Sequence, residues 1–322
     1  MRSSVFLLSA LAALGVTQSH AQQYPARSIT IVVAFPAGGG HDFTARTIAS
    51  RLSPRLGQQV VVENRPGANG QIGAQHVSRA APDGHTMLLA SPAELVISQS
   101  LYKNLPYDGL RDFSAVTLAG VSPITLIAHP STQVKTPQDL IRAAKSKAAQ
   151  LSYGTPGAGS AQHLAGAWIA KLGGVEWIHV PYKGAAPVVT DTLGGQIPFG
   201  LVGIAPAMPH IKSGRFNAVA VMAPKRLTWL PSIPAIGEVA ALKPIELVQW
   251  MGVVMPAKTP PAVVDRMHRE IRAVLQDAET SRLMIDQGVE PADYAPRAFA
   301  AFLEAEHKKY AYLVKLSGAT VE

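Results

Sequence analysis

The sequence predicts an α/β protein of two lobes, built from mixed sheets with helices on both faces. Three observations carry this. After residue 22, strands and helices alternate and are joined by loops of a few residues, the pattern of parallel or mixed sheets. The 322 residues are enough to bury two cores. One unit, an apolar strand followed by a Gly-rich turn and a helix, occurs twice, near residue 29 and again near residue 151.

The first copy has its strand at 29–35, its turn at Pro36-Ala37-Gly38-Gly39-Gly40-His41-Asp42, and a helix from about Phe43. Ala45, Ile48, Ala49 and Leu52 share one face of that helix at spacings of three and four. A strand at 59–64 follows, then a loop at 65–70 and a helix through Ala74 and Val77. Ala81-Pro82-Asp83-Gly84 is a turn with Pro and Gly where turn geometry wants them. Residues 86–90 form a buried strand, and Ser91-Pro92-Ala93 opens another helix. From about Val121 the chain enters a second lobe, starting with a strand at 124–128. Thr136-Pro137-Gln138-Asp139 starts a helix, with a cap, Pro at the first helical position and an acid three residues past the cap. The second copy of the unit is the strand 151–153, the turn Gly154-Thr155-Pro156-Gly157-Ala158-Gly159-Ser160 and a helix from about Ala161. A strand at 177–181 leads through a third loop, Tyr182-Lys183-Gly184-Ala185-Ala186-Pro187, into another helix. A strand at 218–221 comes next, and the chain returns to the first lobe near 247–254. In the closing amphipathic helices Val264, Met267, Ile271, Val274 and Leu275 share a face. The expected lobes are 22–120 with 247–322, and 121–246.

Composition narrows the function. With 48% hydrophobic and 16% charged residues the chain is globular. Its net charge of +8 comes from scattered Lys and Arg with no basic run, which argues against nucleic acid and fits solubility or anionic solutes. Cysteine is absent, so disulfides, thiolate metal sites and a Cys nucleophile are excluded. Arg2, the short apolar stretch 5–16 and the small residues of Ser19-His20-Ala21 read as a signal peptide over 1–21, cleaved before Gln22, with a membrane anchor as the alternative. No later segment is long and apolar enough to span a bilayer, so the expected location is the periplasm.

The Gly-rich turns are the candidate site. A helix N-terminus has unpaired N–H groups and a partial positive charge, so it holds an anion without Arg or Lys. Two such ends, one per lobe, make a clamp for a small carboxylate. A structural reading, glycines serving only a tight turn, stands beside this one. The dinucleotide fingerprint fails because Phe43 stands where its third Gly belongs, and the Gly-Lys-Ser/Thr of a phosphate loop is missing; no cofactor is expected. Asp42 caps the first helix or accepts a hydrogen bond from a ligand; its neighbour His41 is expected to be exposed. Ser160 and His163 lie three apart at a helix start, without the Gly-x-Ser-x-Gly elbow of a hydrolase, so Ser160 reads as an N-cap facing the cleft. The ten His residues are dispersed, with no metal-binding spacing, and no metal is expected. Lys183 is either a solvated loop charge or a cation at the cleft edge, and Tyr182 either packs or stacks on a ligand.

Taken in order, these loops resemble the tripartite tricarboxylate transporter receptor family, the TctC or Bug solute-binding proteins. The resemblance runs along the mature chain. It is carried by Tyr24-Pro25, the Phe35–Asp42 stretch, Val62-Glu63-Asn64-Arg65-Pro66-Gly67-Ala68, Ala81-Pro82-Asp83-Gly84, Leu105-Pro106-Tyr107-Asp108 and Arg111-Asp112-Phe113. Thr155-Pro156-Gly157-Ala158-Gly159-Ser160, Val180-Pro181-Tyr182-Lys183-Gly184, Gly194-Gly195-Gln196, Lys225-Arg226 and Pro231-Ser232-Ile233-Pro234 complete it. The resemblance implies a type II-like periplasmic-binding-protein fold that closes on its ligand, with a membrane permease as transient partner. It also implies a monomer that performs no chemistry. Ligand contacts carried over from the family are Phe35, Ala37, Gly38, Gly39 and Asp42, then Ser91 and Pro92, then Thr155, Gly159, Ser160 and His163, and finally Tyr182, Lys183 and Gly184. Many members carry an acidic or amide pair after the Gly-Gly-Gln motif, where this chain has Phe199-Gly200-Leu201-Val202-Gly203. With Val202 at that position among the contacts, a plain carboxylate with an apolar or aromatic body is favoured over an amino acid. The rivals are an exported α/β hydrolase, a solute sensor and a nucleotide-binding regulator.

Overall fold

A computed structural model describes residues 24–146 and 151–319. The expected signal peptide lies outside the described residues. The chain opens with β1 (Ile29–Val33), α1 (Gly40–Leu56), β2 (Val60–Asn64), α2 (Gln71–Ser78), β3 (Thr86–Ala90) and a helical turn at Ala93–Ile97 running into α3 (Ser98–Leu101). The β1 and β3 runs are apolar apart from Thr30 and Thr86 because helices cover both faces of the sheet. β1 lies parallel between β2 and β3.

The element that organises the molecule is β4 (Phe113–Ala128), sixteen residues long. Its first part pairs antiparallel with β9 (Val248–Pro256), from Phe113 against Pro256 to Pro123 against Val248. β9 in turn pairs antiparallel with β3. The last five residues of β4, Ile124–Ala128, belong to a second sheet. The sequence expects only those five residues as a strand. The preceding eleven mix Gly and Ser with apolar residues and contain two register shifts, which hides the strand period.

Between β4 and β9 the chain forms α4 (Pro137–Ser146), β5 (Leu151–Thr155), α5 (Ala161–Gly173), β6 (Trp177–Pro181), α6 (Ala185–Leu193), β7 (Phe199–Gly203), α7 (Ile204–Lys212) and β8 (Asn217–Val221). The second sheet runs β6, β5, β7, with β5 parallel to both neighbours, and β7 and β8 both pair antiparallel with β4. After β9 come α8 (Pro261–Leu275), α9 (Ala278–Asp286), β10 (Glu290–Pro291), which pairs with β4, and α10 (Pro296–Ser317). The molecule is therefore two sheets joined by β4 and β9, with a cleft above the two crossing strands.

Each sheet is sealed by its own helices. Ile48 and Leu52 of α1 and Met267 and Ile271 of α8 are fully buried with Val33 and Met255 on one face of the first sheet. In the second lobe Leu164 and Ile169 of α5 pack with Tyr153 and Phe199. The helix starts follow local rules. Thr136 and Asp139 form the expected reciprocal cap, each side chain accepting the other's N–H. Among the described residues no helix is long and apolar enough to cross a membrane.

Candidate functional site

The cleft contains a pocket with a cavity volume of about 70 Å³. A single water needs roughly 10–15 Å³ measured the same way, so the space accommodates a small organic molecule. Four helices end on it. The N-termini of α1 (Gly39–His41), α5 (Ser160, Gln162), α6 (Gly184–Pro187) and α7 (Gly203, Ala205, Pro206) all line the wall. α1, α6 and α7 have glycine at the N-cap and no side-chain cap, so their first-turn N–H groups remain available. Among the described residues no Asp or Glu lines the pocket, and Lys183 is its one cation. The field at the centre is set by backbone dipoles and favours an anion. Phe35, Pro36, Pro156 and Met251 supply apolar wall.

The first turn works differently from the sequence expectation. α1 begins at Gly40, three residues earlier than Phe43, and Phe43 N–H already bonds to the Gly39 carbonyl (3.0 Å). Of the three glycines only Gly38 is left-handed (φ +85°). Gly39 is extended, and a Cβ there would have only the Pro36 oxygen nearby, at 3.9 Å. Asp42 turns away from the pocket. It accepts the Gly38 N–H (3.1 Å) and pairs with Arg46 (3.0 Å). Burial alone would raise its pKa, but hydrogen bonds from Arg46, the Gly38 N–H and Asn64 hold it below the ordinary carboxyl value.

The early start of α1 also corrects the reading of His41. Expected to be exposed, it is buried and lines the pocket, with its ring 5.3 Å from that of Phe35. Burial lowers its pKa to about 4, partly offset by a hydrogen bond to the Trp250 backbone, so it is neutral. A chain of amides crosses the floor from it. Gln249 on β9 lies 3.4 Å from His41 Nε2, and its Oε1 accepts a hydrogen bond from Gln162 Nε2 of α5 (2.8 Å). Beside them Ser122 of β4 has a buried hydroxyl with no partner.

Of the expected contacts, the structure gathers Phe35, Ala37, Gly39, Ser91, Ser160, Lys183 and Gly184 around the pocket. Gly38 and Asp42 line a wider surface depression that shares Gly39 and Gly40 with it. The others lie outside the wall. Val202 is fully buried with Ile127 and Val188 in the second lobe's core, and it is the next residue, Gly203, that reaches the cleft. Thr155 is buried with its hydroxyl 2.7 Å from His179 Nε2. Tyr182 donates to Asp191 (2.7 Å), and burial, then that carboxylate, pushes its pKa up to about 12. His163 stacks on His179 at 3.9 Å and accepts the Gly159 N–H at Nδ1 (3.1 Å). Gly159 is the left-handed residue of that turn, and Pro92 precedes the helical turn at Ala93. Ser160 is the N-cap of α5: it accepts the His163 N–H (3.1 Å) and donates to the Gly157 carbonyl (2.8 Å). Its hydroxyl and the His163 ring are not paired, so no nucleophile is activated there. Among the described residues no group of three or more His, Asp or Glu is placed to hold a metal ion.

The expected contacts leave out Pro36, Gly40, His41, Ala93, Ser122, Pro156, Gln162, Ala185, Ala186, Pro187, Gly203, Ala205, Pro206, Gln249 and Met251. Gln162 and Ala205 carry a signal in the sequence, since each sits in the first turn of a helix that follows a strand. Ser122, Gln249 and Met251 carry none, because only the pairing of β4 with β9 brings them under the cleft.

Two sheets joined by crossing strands, with helix ends facing a shared cleft, define the class of two-lobed periplasmic binding proteins. The chain belongs, more narrowly, to the tripartite tricarboxylate transporter receptor family, whose family model matches residues 44–318. It is 32% identical to the protein BugT of Bordetella pertussis over 303 residues, 94% of this chain and 93% of BugT. It is also similar to the periplasmic binding protein BugD, with a TM-score of 0.86 and 34% identity over 93% of this chain and all of that one. Rpa4515 of R. palustris, solved with adipate, has a TM-score of 0.88 and 31% identity over 92% of this chain and all of its own.

Proposed function

We propose that the protein is a periplasmic receptor that takes up a small carboxylate between its lobes and delivers it to a tripartite tricarboxylate-type permease. The observation that carries this reading is the convergence of three uncapped helix N-termini, those of α1, α6 and α7, on a pocket with no acidic residue among the described residues. Peptide N–H groups at helix ends donate well to carboxylate oxygens, and these bonds are stronger in a site shielded from water. The apolar wall at Phe35, Pro36, Pro156 and Met251 suits an aliphatic or aromatic body. The adipate found in a relative is such a molecule.

In this reading residues 1–21 are removed on export, and residues 22–120 with 247–322 form one lobe and 121–246 the other. The lobes close by a hinge in the crossing strands, the protein acts as a monomer, and it performs no chemistry. A thermal-shift screen of mono-, di- and tricarboxylates, adipate included, tests it, because a ligand of the native state raises the melting temperature by mass action. A carboxylate that stabilises the protein supports the reading. Stabilisation by sugars or nucleotides alone refutes it. Uptake of the labelled acid by cells with and without the gene tests the delivery step.

A further inference from the structure

One wall of the pocket hides an acid. Ser91 and Ala93 line it at the end of β3, and directly behind them Glu94 is completely buried. Both donors of Ser91 point at the Glu94 carboxyl: its N–H reaches Oε1 at 2.6 Å, and its hydroxyl makes a short contact with Oε2. No basic group forms an ion pair with Glu94 among the described residues. Tyr107 donates its hydroxyl to the Glu94 backbone carbonyl at 2.8 Å, not to its carboxyl. Tyr102 follows α3, and His76 sits on α2. On α10, Glu306 accepts from Trp250 and pairs with Lys309, and Tyr310 is held neutral by burial. Gly70 closes the remaining side: a Cβ there would stand 3.0 Å from Glu94 Oε2.

The Ser91 hydroxyl has one proton and two lone pairs to place. The Ala93 N–H takes one lone pair, at 3.2 Å. With Glu94 ionised, the serine proton goes to Glu94 and a lone pair is left for the pocket. With Glu94 protonated, the acid proton lies on the second lone pair and the serine hydrogen is left for the pocket. A carboxylate needs the second arrangement, since it accepts and cannot donate.

We propose that Glu94 sets the polarity of the Ser91 hydroxyl, so that the pocket takes up a proton from solvent onto Glu94 when it takes up a carboxylate. This rests on the carboxylate reading of the pocket. It makes Glu94 a positioning residue that acts through Ser91, and it makes capture tighter on the acid side. The energetics agree. Burial pushes the Glu94 pKa up to about 7 against the opposing hydrogen bonds from Ser91, so the proton is within reach near neutrality, and a bound anion holds it more firmly. His41 and His179 have values near 4 and 3, and His163 is lowered as well, all first by burial, so the cleft histidines do not titrate in that range.

Calorimetry with adipate as the probe tests this between about pH 6.5 and about pH 8.5, where the acid is fully ionised. Linkage predicts that Kd is level below about pH 7 and then weakens toward tenfold per pH unit. At about pH 8 the measured heat should differ between Tris and phosphate buffers by an uptake approaching one proton. Glu94→Gln, which donates to Ser91 at every pH, should show a flat Kd and no buffer dependence. Adipate binding by the wild type with a flat Kd and equal heats in both buffers overturns the proposal while leaving the carboxylate reading in place. The same pH dependence surviving in Glu94→Gln also overturns it. If neither adipate nor any other acid in the panel binds at any pH, both fall together. The buffer comparison needs no variant, so it decides even if Glu94→Gln does not fold.

Discussion

The two strand–turn–helix units build the same backbone shape with different side-chain investment. In the second-lobe turn side chains satisfy two of the donors: Ser160 caps His163, and the His163 ring accepts the Gly159 N–H. In the first-lobe turn the cap is a glycine with no side chain, and the one nearby acid, Asp42, is drawn outward to Arg46 and Gly38. The second turn caps its helix with a side chain, while the first leaves the start of α1 uncapped at the cleft. The same fold motif can thus carry its own side-chain cap in one lobe and leave a helix end uncapped at the cleft in the other.

The sharpest break in the comparison is Gly39→Val. Its backbone has φ −88° and room for a Cβ, so the fold should survive while the side chain fills the pocket. Carboxylate affinity should fall about 100-fold, the loss of two charge-assisted bonds of about 1.5 kcal/mol each, as read by calorimetry. Gly38→Ala should do the opposite. It puts a Cβ on a φ of +85°, which costs about 1–2 kcal/mol of stability in urea unfolding, with affinity changed far less. Ser160→Ala removes the second-lobe cap and should cost about 1 kcal/mol of stability. Asp42→Asn bears on pH. The folded Asp42 has a lowered pKa, so its contribution is present above the ordinary value of 3.8 and is lost as pH falls through the folded value. The variant should therefore have a flatter acid limb in stability against pH. Lys183→Ala, at the rim, should slow association a few-fold at low salt and change little at high salt, as stopped-flow traces would show.

Much of this was legible in sequence for physical reasons. β1, β3 and β6 are short, mostly apolar runs between turn residues, and the helix starts at Thr136 and Ser160 carry their caps beside them, so local chemistry identifies them. The beginning of α1 was not legible, because Gly38-Gly39-Gly40 reads as one flexible stretch although only Gly38 needs the left-handed region. That misplacement put His41 outside when it belongs in the pocket. The floor was hidden for a different reason. Ser122 and Gln249 lie more than a hundred residues apart and meet under the cleft only through the β4–β9 ladder. Glu94 illustrates a third limit: an acid in a sequence reads as surface, and only its enclosure by Ser91, Tyr107 and Gly70 gives it a role at the pocket wall.

The most direct measurement is a crystal structure of the protein with a bound dicarboxylate such as adipate. The account predicts carboxylate oxygens about 2.7–3.2 Å from backbone nitrogens at the starts of α1 and α6, directly or through one ordered water. An acid gripped by Lys or Arg side chains, or seated in the outer depression by Arg46, would contradict it.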